Sequence, residues 1–557
     1  MKKPIGDQSN RPDELVFLPL GGAGEIGMNL TLYGYGGEWL MVDCGVTFAD
    51  DSMPGLDVIM PDPDFIAARS DRLAGLVVTH GHEDHIGAIP YLWKRFRCPV
   101  YATPFARALL YEKLVEAGLQ NEIAITEVPL SGKFTVGQFE IELITLTHSI
   151  PEPNAVVIRT PLGTILHTGD WKLDPDPLVG ATSDEAALRR LGEEGVLAMV
   201  CDSTNALRSG HSGSELAVRN SLIDLVGRYQ QRVAVACFAS NVARLESIAA
   251  AAVVHDRHVA LVGRSLWRIY KAARDTGYLQ DTPPFLSEDE AGYLPREKAL
   301  LICTGSQGEP RAALSRIAQG DHPHVVLDAG DTVIFSSRII PGNERSIGRL
   351  QNQLARRGIV IVTEHDHFVH VSGHPAQDEL THMYQMVRPR IAVPVHGEAR
   401  HLIAHAQLAR DCQVPETVIA QNGAMVRLAP GPATVIDNVA VGRLVADGKQ
   451  LRALGSTALK SRQRMVFNGT AVATVVIDRR GELLAKPQVT VQGLVEEADD
   501  SALGALGDQL GRAIADLPAA QRRDDEVVRE TARLAMRRSL KATYGKKPVT
   551  DIHIVRL

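Results

Sequence analysis

The chain has 557 residues, of which 45% are hydrophobic and 22% charged, the proportions of an ordinary globular protein and not of a disordered, collagen-like or disulfide-scaffold chain. At roughly 150 residues per domain, this length implies about three to four domains. The 59 basic and 66 acidic residues give a formal net charge of −7, which excludes a wholly basic nucleic-acid binder and confines any such contact to a local groove.

In chain order, Met1-Lys2-Lys3 is followed by polar residues to Asn10, without the apolar core of a secretory leader. No apolar run is long enough to cross a membrane, so the expected location is cytoplasmic. Cys44, Cys98, Cys201, Cys237, Cys303 and Cys412 stand singly and read as small buried hydrophobes. From Leu15 to about Asp202, short β-rich runs end in polar loops: Leu15 to Leu18, Trp39 to Val42, Leu76 to Val78, Glu140 to Thr147, Thr164 to Leu166 and Leu197 to Val200. From about Ser214 to Val371 strands alternate with helices, as in a parallel α/β unit. The strand Ile391 to Val395 then resumes the earlier habit of ending on a ligand-type side chain, so the α/β unit reads as an insertion. A helix around Arg400 to Arg410 follows, then a polar, basic connector at Lys460 to Arg464. Beyond it come a hairpin around Arg480-Gly481, two helical stretches and a last strand near Ile552.

The informative run is Thr79-His80-Gly81-His82-Glu83-Asp84-His85-Ile86-Gly87, directly after an apolar strand. Alternation sends His80 and His82 to one side, and a tight turn aims Asp84 and His85 at a neighbouring point, so one loop can serve two metal ions. Imidazole and carboxylate donors suit zinc, with manganese or iron as alternatives. A zincin HExxH is excluded because no histidine follows at that spacing. Further donors end later strands: His148, His167 and Asp170, and His396.

These residues, with Gly21 to Asn29, Phe238-Ala239-Ser240-Asn241, Thr304 to Pro310, Phe335-Ser336-Ser337, Pro341-Gly342-Asn343-Glu344, His370-Val371-Ser372-Gly373-His374 and Pro394 to Glu398, resemble the β-CASP nucleases of the metallo-β-lactamase superfamily, specifically the bacterial ribonuclease J family. The resemblance covers about residues 14 to 410, and more loosely the tail. It implies an α/β fold: a metallo-β-lactamase αββα sandwich (residues 14–213 and 374–449) with an inserted β-CASP domain (214–373), a linker (450–464) and a small C-terminal α/β domain for oligomerisation (465–557). It implies a metal-dependent 5′-to-3′ exonuclease and endonuclease acting on single-stranded RNA in RNA processing and decay, preferring 5′-monophosphate ends and working as a homodimer or homotetramer.

Residue by residue, the resemblance implies that His80, His82 and His148 hold one divalent ion, that Asp84, His85 and His396 hold the other, and that Asp170 bridges them. Zn2+ is the expected metal, with Mn2+ as the alternative. His374 corresponds to the leaving-group histidine, and Asp43 and Asp202 to acidic positions near the site, with Asp202 as a catalytic candidate and Asp43 orienting a ligand from behind. Pro375 suits a first helical position, so the sequence predicts a helix starting there, its free N–H groups and Ser372, Gly373 and His374 facing a substrate phosphate.

Four other features carry less. Gly22-x-Gly24-x-x-Gly27 has dinucleotide-fingerprint spacing, but the glycine-broken, alternating stretch after it cannot be the required helix. His365-x-His367-x-x-His370 mimics a metal motif without an acidic partner. Gly305-Ser306-Gln307-Gly308 is a weaker phosphate loop. The basic stripe Arg529, Arg533, Arg537 and Lys541 fits RNA phosphates or another subunit equally well. The competing functional readings are a small-ester or thioester hydrolase on the same metals and a catalytically inactive RNA-binding scaffold.

Overall fold

The computed structural model describes residues 12–49, 53, 55–494 and 500–557; the N-terminal stretch Met1 to Asn10 read above lies outside them. The chain divides into one large unit, residues 1–48 and 57–446, and a smaller one, residues 49–56 and 447–557.

Two sheets build the frame of the large unit. One has eight strands, in spatial order those beginning at Thr434, Ala424, Leu15, Leu30, Glu38, Leu73, Val100 and Ile125. The other has seven, beginning at Lys133, Phe139, Asn154, Gly163, Ala198, Ile391 and Glu416. Both faces of each sheet are covered, so strands such as Leu15–Gly21 and Ala198–Asp202 are buried along their whole length. The two-residue period still sorts the side chains. Leu15, Phe17, Tyr33, Ala198 and Val200 meet between the sheets, whereas Val16, Leu18 and Leu32 face the helix Pro104–Glu116 and its neighbours. Met199 and Cys201 face Glu185–Glu194 and Gln377–Val387 on the opposite outside layer. This is the expected αββα sandwich.

Between Asp202 and Ile391 the chain leaves to build a five-stranded parallel sheet, ordered by strands beginning at His258, Ala299, Val233, Thr332 and Val360. Helices such as Val242–Val254 and Glu344–Arg356 connect its strands, as the alternating pattern predicts. Asp202 ends the last strand before this excursion, and His396 follows the strand that resumes after it, paired to the first in parallel register (Asp202 opposite Val395). That pairing returns a residue nearly 200 positions away to the same sheet edge.

In the smaller unit a three-stranded sheet, with Thr470–Ile477 between Gln488–Gln492 and Val549–Arg556, packs one face on helices Asp500–Ala515 and Asp525–Tyr544. Alternation puts Ala471, Ala473, Val475 and Ile477 into that core beside Leu510, Ala532 and Met536. The linker expected at 450–464 is not one. Gln450–Ala453 is a strand and Thr457–Asn468 a helix, because this run has no glycine or proline breaker inside the helix and buries Leu459, so the charges read as a connector are an exposed helix face. Of the basic stripe, Arg529 pairs with Glu526 and Arg533 with Glu530.

Candidate metal centre

The carboxyl ends of the sandwich strands converge on a buried cluster. Three groups of side chains have ligand atoms within 4.8 Å of one another: His80, His82, His148 and Asp170; Asp84, His85, Asp170 and His396; and Asp170, Asp202, His374 and His396. Asp170 belongs to all of them. Its Oδ2 lies 3.2 Å from His85 Nε2, 3.9 Å from His148 Nε2 and 4.0 Å from His80 Nε2, while its Oδ1 lies 3.6 Å from His396 Nδ1. Among the described residues, His167, His365, His367 and His370 join none of these groups. His167 instead meets the buried Tyr33 hydroxyl, 2.8 Å from Nδ1.

Each imidazole has one nitrogen held from outside, which aims the other inward. His80 Nδ1 meets Thr79 Oγ1 at 2.9 Å, and that hydroxyl in turn donates to Asp43 Oδ2. His85 Nδ1 donates to the same Asp43 Oδ2 at 2.7 Å, so Asp43 stands behind two histidines. His148 Nδ1 donates to Gly373 O at 2.5 Å; only glycine permits this approach, since a Cβ there would fall 2.7 Å from the imidazole. His82 Nε2 meets Ser240 Oγ at 3.1 Å, and His396 Nδ1 meets Thr204 Oγ1 at 2.9 Å. The left-handed backbone of Asp43 (φ 60°) and His396 (φ 52°) is held by these contacts and by the pairing of Ala23 with Gly397. The glycine-rich start is therefore a brace for the His396 turn and not a dinucleotide loop.

The donors fit divalent metal. His80 Nε2 and His148 Nε2 each lie 3.1 Å from His82 Nδ1, so three inward nitrogens crowd one point where they cannot all satisfy one another. Burial holds His80 and His148 well below the ordinary imidazole range and pushes His82 down to about 4, leaving neutral lone pairs. On the other side burial also opposes charge, but Asp170 and its neighbouring carboxylates outweigh it and raise His85 and His396. The facing imidazoles reverse the effect of burial on Asp84, Asp170 and Asp202, which are depressed. His374, 22% exposed, donates Nδ1–H to Asp202 Oδ2 at 2.8 Å, and that carboxylate overcomes burial to raise it.

One expectation about this edge fails. The helix after His374 begins at Gln377 with Ala376 as its cap, so Pro375 precedes the helix altogether. Its first free N–H, that of Ala376, is taken at 2.9 Å by Glu379 of the same helix, so this end faces an internal carboxylate and not a substrate phosphate. Ser372 is buried beside His374; its Oγ accepts from His374 N and Asn205 Nδ2, which leaves its own hydrogen to donate. The Gly305 to Gly308 loop is likewise committed internally, with the Gln307 side chain bound to Arg338 O and Ile340 N. Sequence reading missed Thr79, Asn29, Thr204 and Ser240. Thr79 and Thr204 lie within two residues of recognised acids or ligands, whereas Ser240, although part of a motif of the resemblance, reaches His82 across 158 positions and nothing local signals that contact.

Comparison with known proteins agrees with this geometry. Residues 24–226 match the metallo-beta-lactamase superfamily, 230–354 the ribonuclease J beta-CASP domain, 358–418 the Zn-dependent metallo-hydrolase RNA specificity domain, and 457–557 the ribonuclease J C-terminal domain. The chain is 47% identical to a ribonuclease J of Sinorhizobium meliloti, with 98% of both chains covered. It is 41% identical to one of Mycolicibacterium smegmatis, covering 97% of this chain and 96% of that one, and 37% identical to one of Thermus thermophilus, covering 85% and 84%. A solved structure of a protein of unknown function from Enterococcus faecalis V583 shares the fold at 14% identity, with a TM-score of 0.51 over 74% of this chain and all of that chain. No helix among the described residues is long and apolar enough to cross a membrane. Buried donors suited to divalent metal and matches along nearly the whole chain lead to one conclusion: the chain belongs to the ribonuclease J family of metal-dependent, hydrolytic, RNA-binding nucleases.

Proposed function

We propose that the chain cleaves single-stranded RNA with two divalent ions, Zn2+ or alternatively Mn2+, one held by His80, His82 and His148, the other by Asp84, His85 and His396, with Asp170 between them. The observation that carries this reading is the convergence of those seven side chains into two donor groups sharing Asp170. Two such ions supply Lewis acidity to a phosphodiester and ease loss of a proton from water.

The protein's own groups do the rest. Asp43 and Thr79 fix the orientation of His80 and His85. Asp202 holds His374 by Nδ1 and, against the effect of burial, raises its affinity for a proton, which its other nitrogen can give to the departing 3′ oxygen, leaving 5′-phosphate on the product. Ser372 donates to a terminal 5′-monophosphate, which favours 5′-to-3′ exonucleolytic entry beside endonucleolytic cutting. The C-terminal unit assembles subunits into a dimer or tetramer in the cytoplasm; among the described residues its outer strands Gln488–Gln492 and Val549–Arg556 each have one unpaired edge, the kind that accepts another strand.

Incubation with end-labelled 5′-monophosphorylated and 5′-triphosphorylated RNA, with and without chelator, tests the reading. It expects metal-dependent products bearing 5′-phosphate and faster decay of the monophosphorylated substrate. Cleavage that survives complete metal removal contradicts it.

A further inference from the structure

Glu379 ligates nothing, yet it is a fully enclosed carboxylate, 1% exposed, on the helix Gln377–Val387. Its Oε1 accepts from Leu173 N at 2.9 Å and Ser212 Oγ at 2.7 Å; its Oε2 accepts from Ser212 N at 2.8 Å and Ala376 N at 2.9 Å. An ordinary capping box accounts only for the Ala376 bond. The other three reach two separate stretches of chain. Leu173 follows Asp170, Ser212 lies on the path into the inserted α/β unit, and Ala376 lies on the path out of it.

Those two paths are bonded to each other along their length. Asn205 Nδ2 donates to Ser372 Oγ at 2.8 Å and to His374 O at 3.0 Å. Gln377 Nε2 then donates to Ala206 O and Gln377 N to Arg208 O, both at 2.9 Å, and Asp378 N to Gly210 O at 3.2 Å. Asp202 and His374 stand at the near end of this ladder, 2.8 Å apart, and Glu379 closes the far end. The placement of His374 is thus determined by how the paths into and out of the inserted unit lie against each other.

We propose that Glu379 is a positioning residue for RNA cleavage, which closes the ladder between the two paths and so fixes His374 against Asp202 and Asp170. The inference rests on the leaving-group role of His374 proposed above. All four partners of Glu379 are donors, so a glutamine there must turn its own donor toward at least one N–H or hydroxyl and cannot close the ladder equally well.

The test is a double-mutant cycle on RNA cleavage with Glu379→Gln, His374→Ala and the double variant, alongside Ser212→Ala, which removes one of the four bonds. Metal content and thermal midpoint are measured on each protein. Glu379→Gln is expected to lower kcat between about ten- and a hundredfold with KM little changed and metal retained, and Ser212→Ala to lower it less. On the His374→Ala background Glu379→Gln should add almost nothing, because no histidine remains to be placed. Multiplicative losses, or a loss that merely tracks the unfolded fraction, overturn the inference. If Glu379→Gln does not fold, the same cycle with Ser212→Ala decides. An active His374→Ala overturns the leaving-group reading and this inference together, whereas a slow His374→Ala with multiplicative Glu379→Gln overturns this inference alone.

Discussion

The two sides of the cluster place the same residue type in opposite electrostatic settings. On the side of His80, His82 and His148, burial dominates and lowers the imidazole pKa values; on the side of His85, His396 and His374, burial opposes charge too, but the surrounding carboxylates outweigh it and raise them. The first side is ready to receive a cation. The second must release protons to do so, except at His374, whose partner Asp202 keeps the proton where a leaving group needs it. Asp170, common to both sides, makes them one unit.

Removing that common residue is the most severe way to break the contrast. Asp170→Ala should abolish detectable cleavage and lower metal content on both sides, as read by elemental analysis and RNA turnover, with circular dichroism showing an intact fold. His82→Ala and Asp84→Ala should each empty mainly their own side and cost more than about a hundredfold in rate, beyond what a supporting partner of a ligand typically costs. His374→Ala sharpens the contrast from the other direction. It should slow cleavage of linear and circular RNA by about 10²–10⁴-fold in single-turnover assays while leaving bound metal unchanged.

How much of this was legible depended on distance along the chain. The strand-end loop Thr79 to Gly87 carries four ligand-type side chains at local spacing, and β-rich runs such as Leu15 to Leu18 are strands as their composition indicates. His148, Asp170 and His396 were each ambiguous locally, since His167 ends a strand as well and only the sheet pairing places His396 and not His167 in the cluster. Ser240 and Asn29 lie in motifs of the resemblance, but their contacts with His82 and His85, like every role of Glu379, were not legible because the partners lie far away in sequence. The two mistaken expectations concern chain ends of elements. Pro375 looked like a helix start, but the helix begins two residues later at Gln377, where Glu379 accepts from the capping Ala376 N–H, and Lys460 to Arg464 looked like a connector although nothing there breaks a helix.

Smaller effects refine the comparison. Asp43→Asn leaves one acceptor where the His85 and Thr79 donors converge, and should weaken metal binding about 10- to 100-fold, seen by chelator competition, with the fold unchanged. Ser372→Ala should reduce discrimination for 5′-monophosphorylated over 5′-triphosphorylated ends by an amount worth about 0.5–1.5 kcal/mol, on top of a smaller loss shared with circular RNA because its Oγ also anchors Asn205 and His374 N.

Acidity gives the smallest readout. In the metal-free protein the depressed Asp84, Asp170 and Asp202 stabilise the fold above their unfolded values near about pH 4, and lose that contribution as pH falls through their folded values. The raised His85, His396 and His374 stabilise it fully below about pH 6.5 and lose that contribution as pH rises through their folded values. Metal replaces those protons, so the drop in thermal midpoint caused by chelator should be larger near about pH 8 than near about pH 6.

The central claim is that two ions, one on each side of Asp170, act together on RNA. Metal-free protein titrated with Zn2+ or Mn2+, with bound metal and RNA cleavage followed on the same samples, tests it directly. The account predicts that cleavage appears as a second equivalent binds and saturates at two ions per chain. Full activity at one ion per chain, or with none, would contradict it.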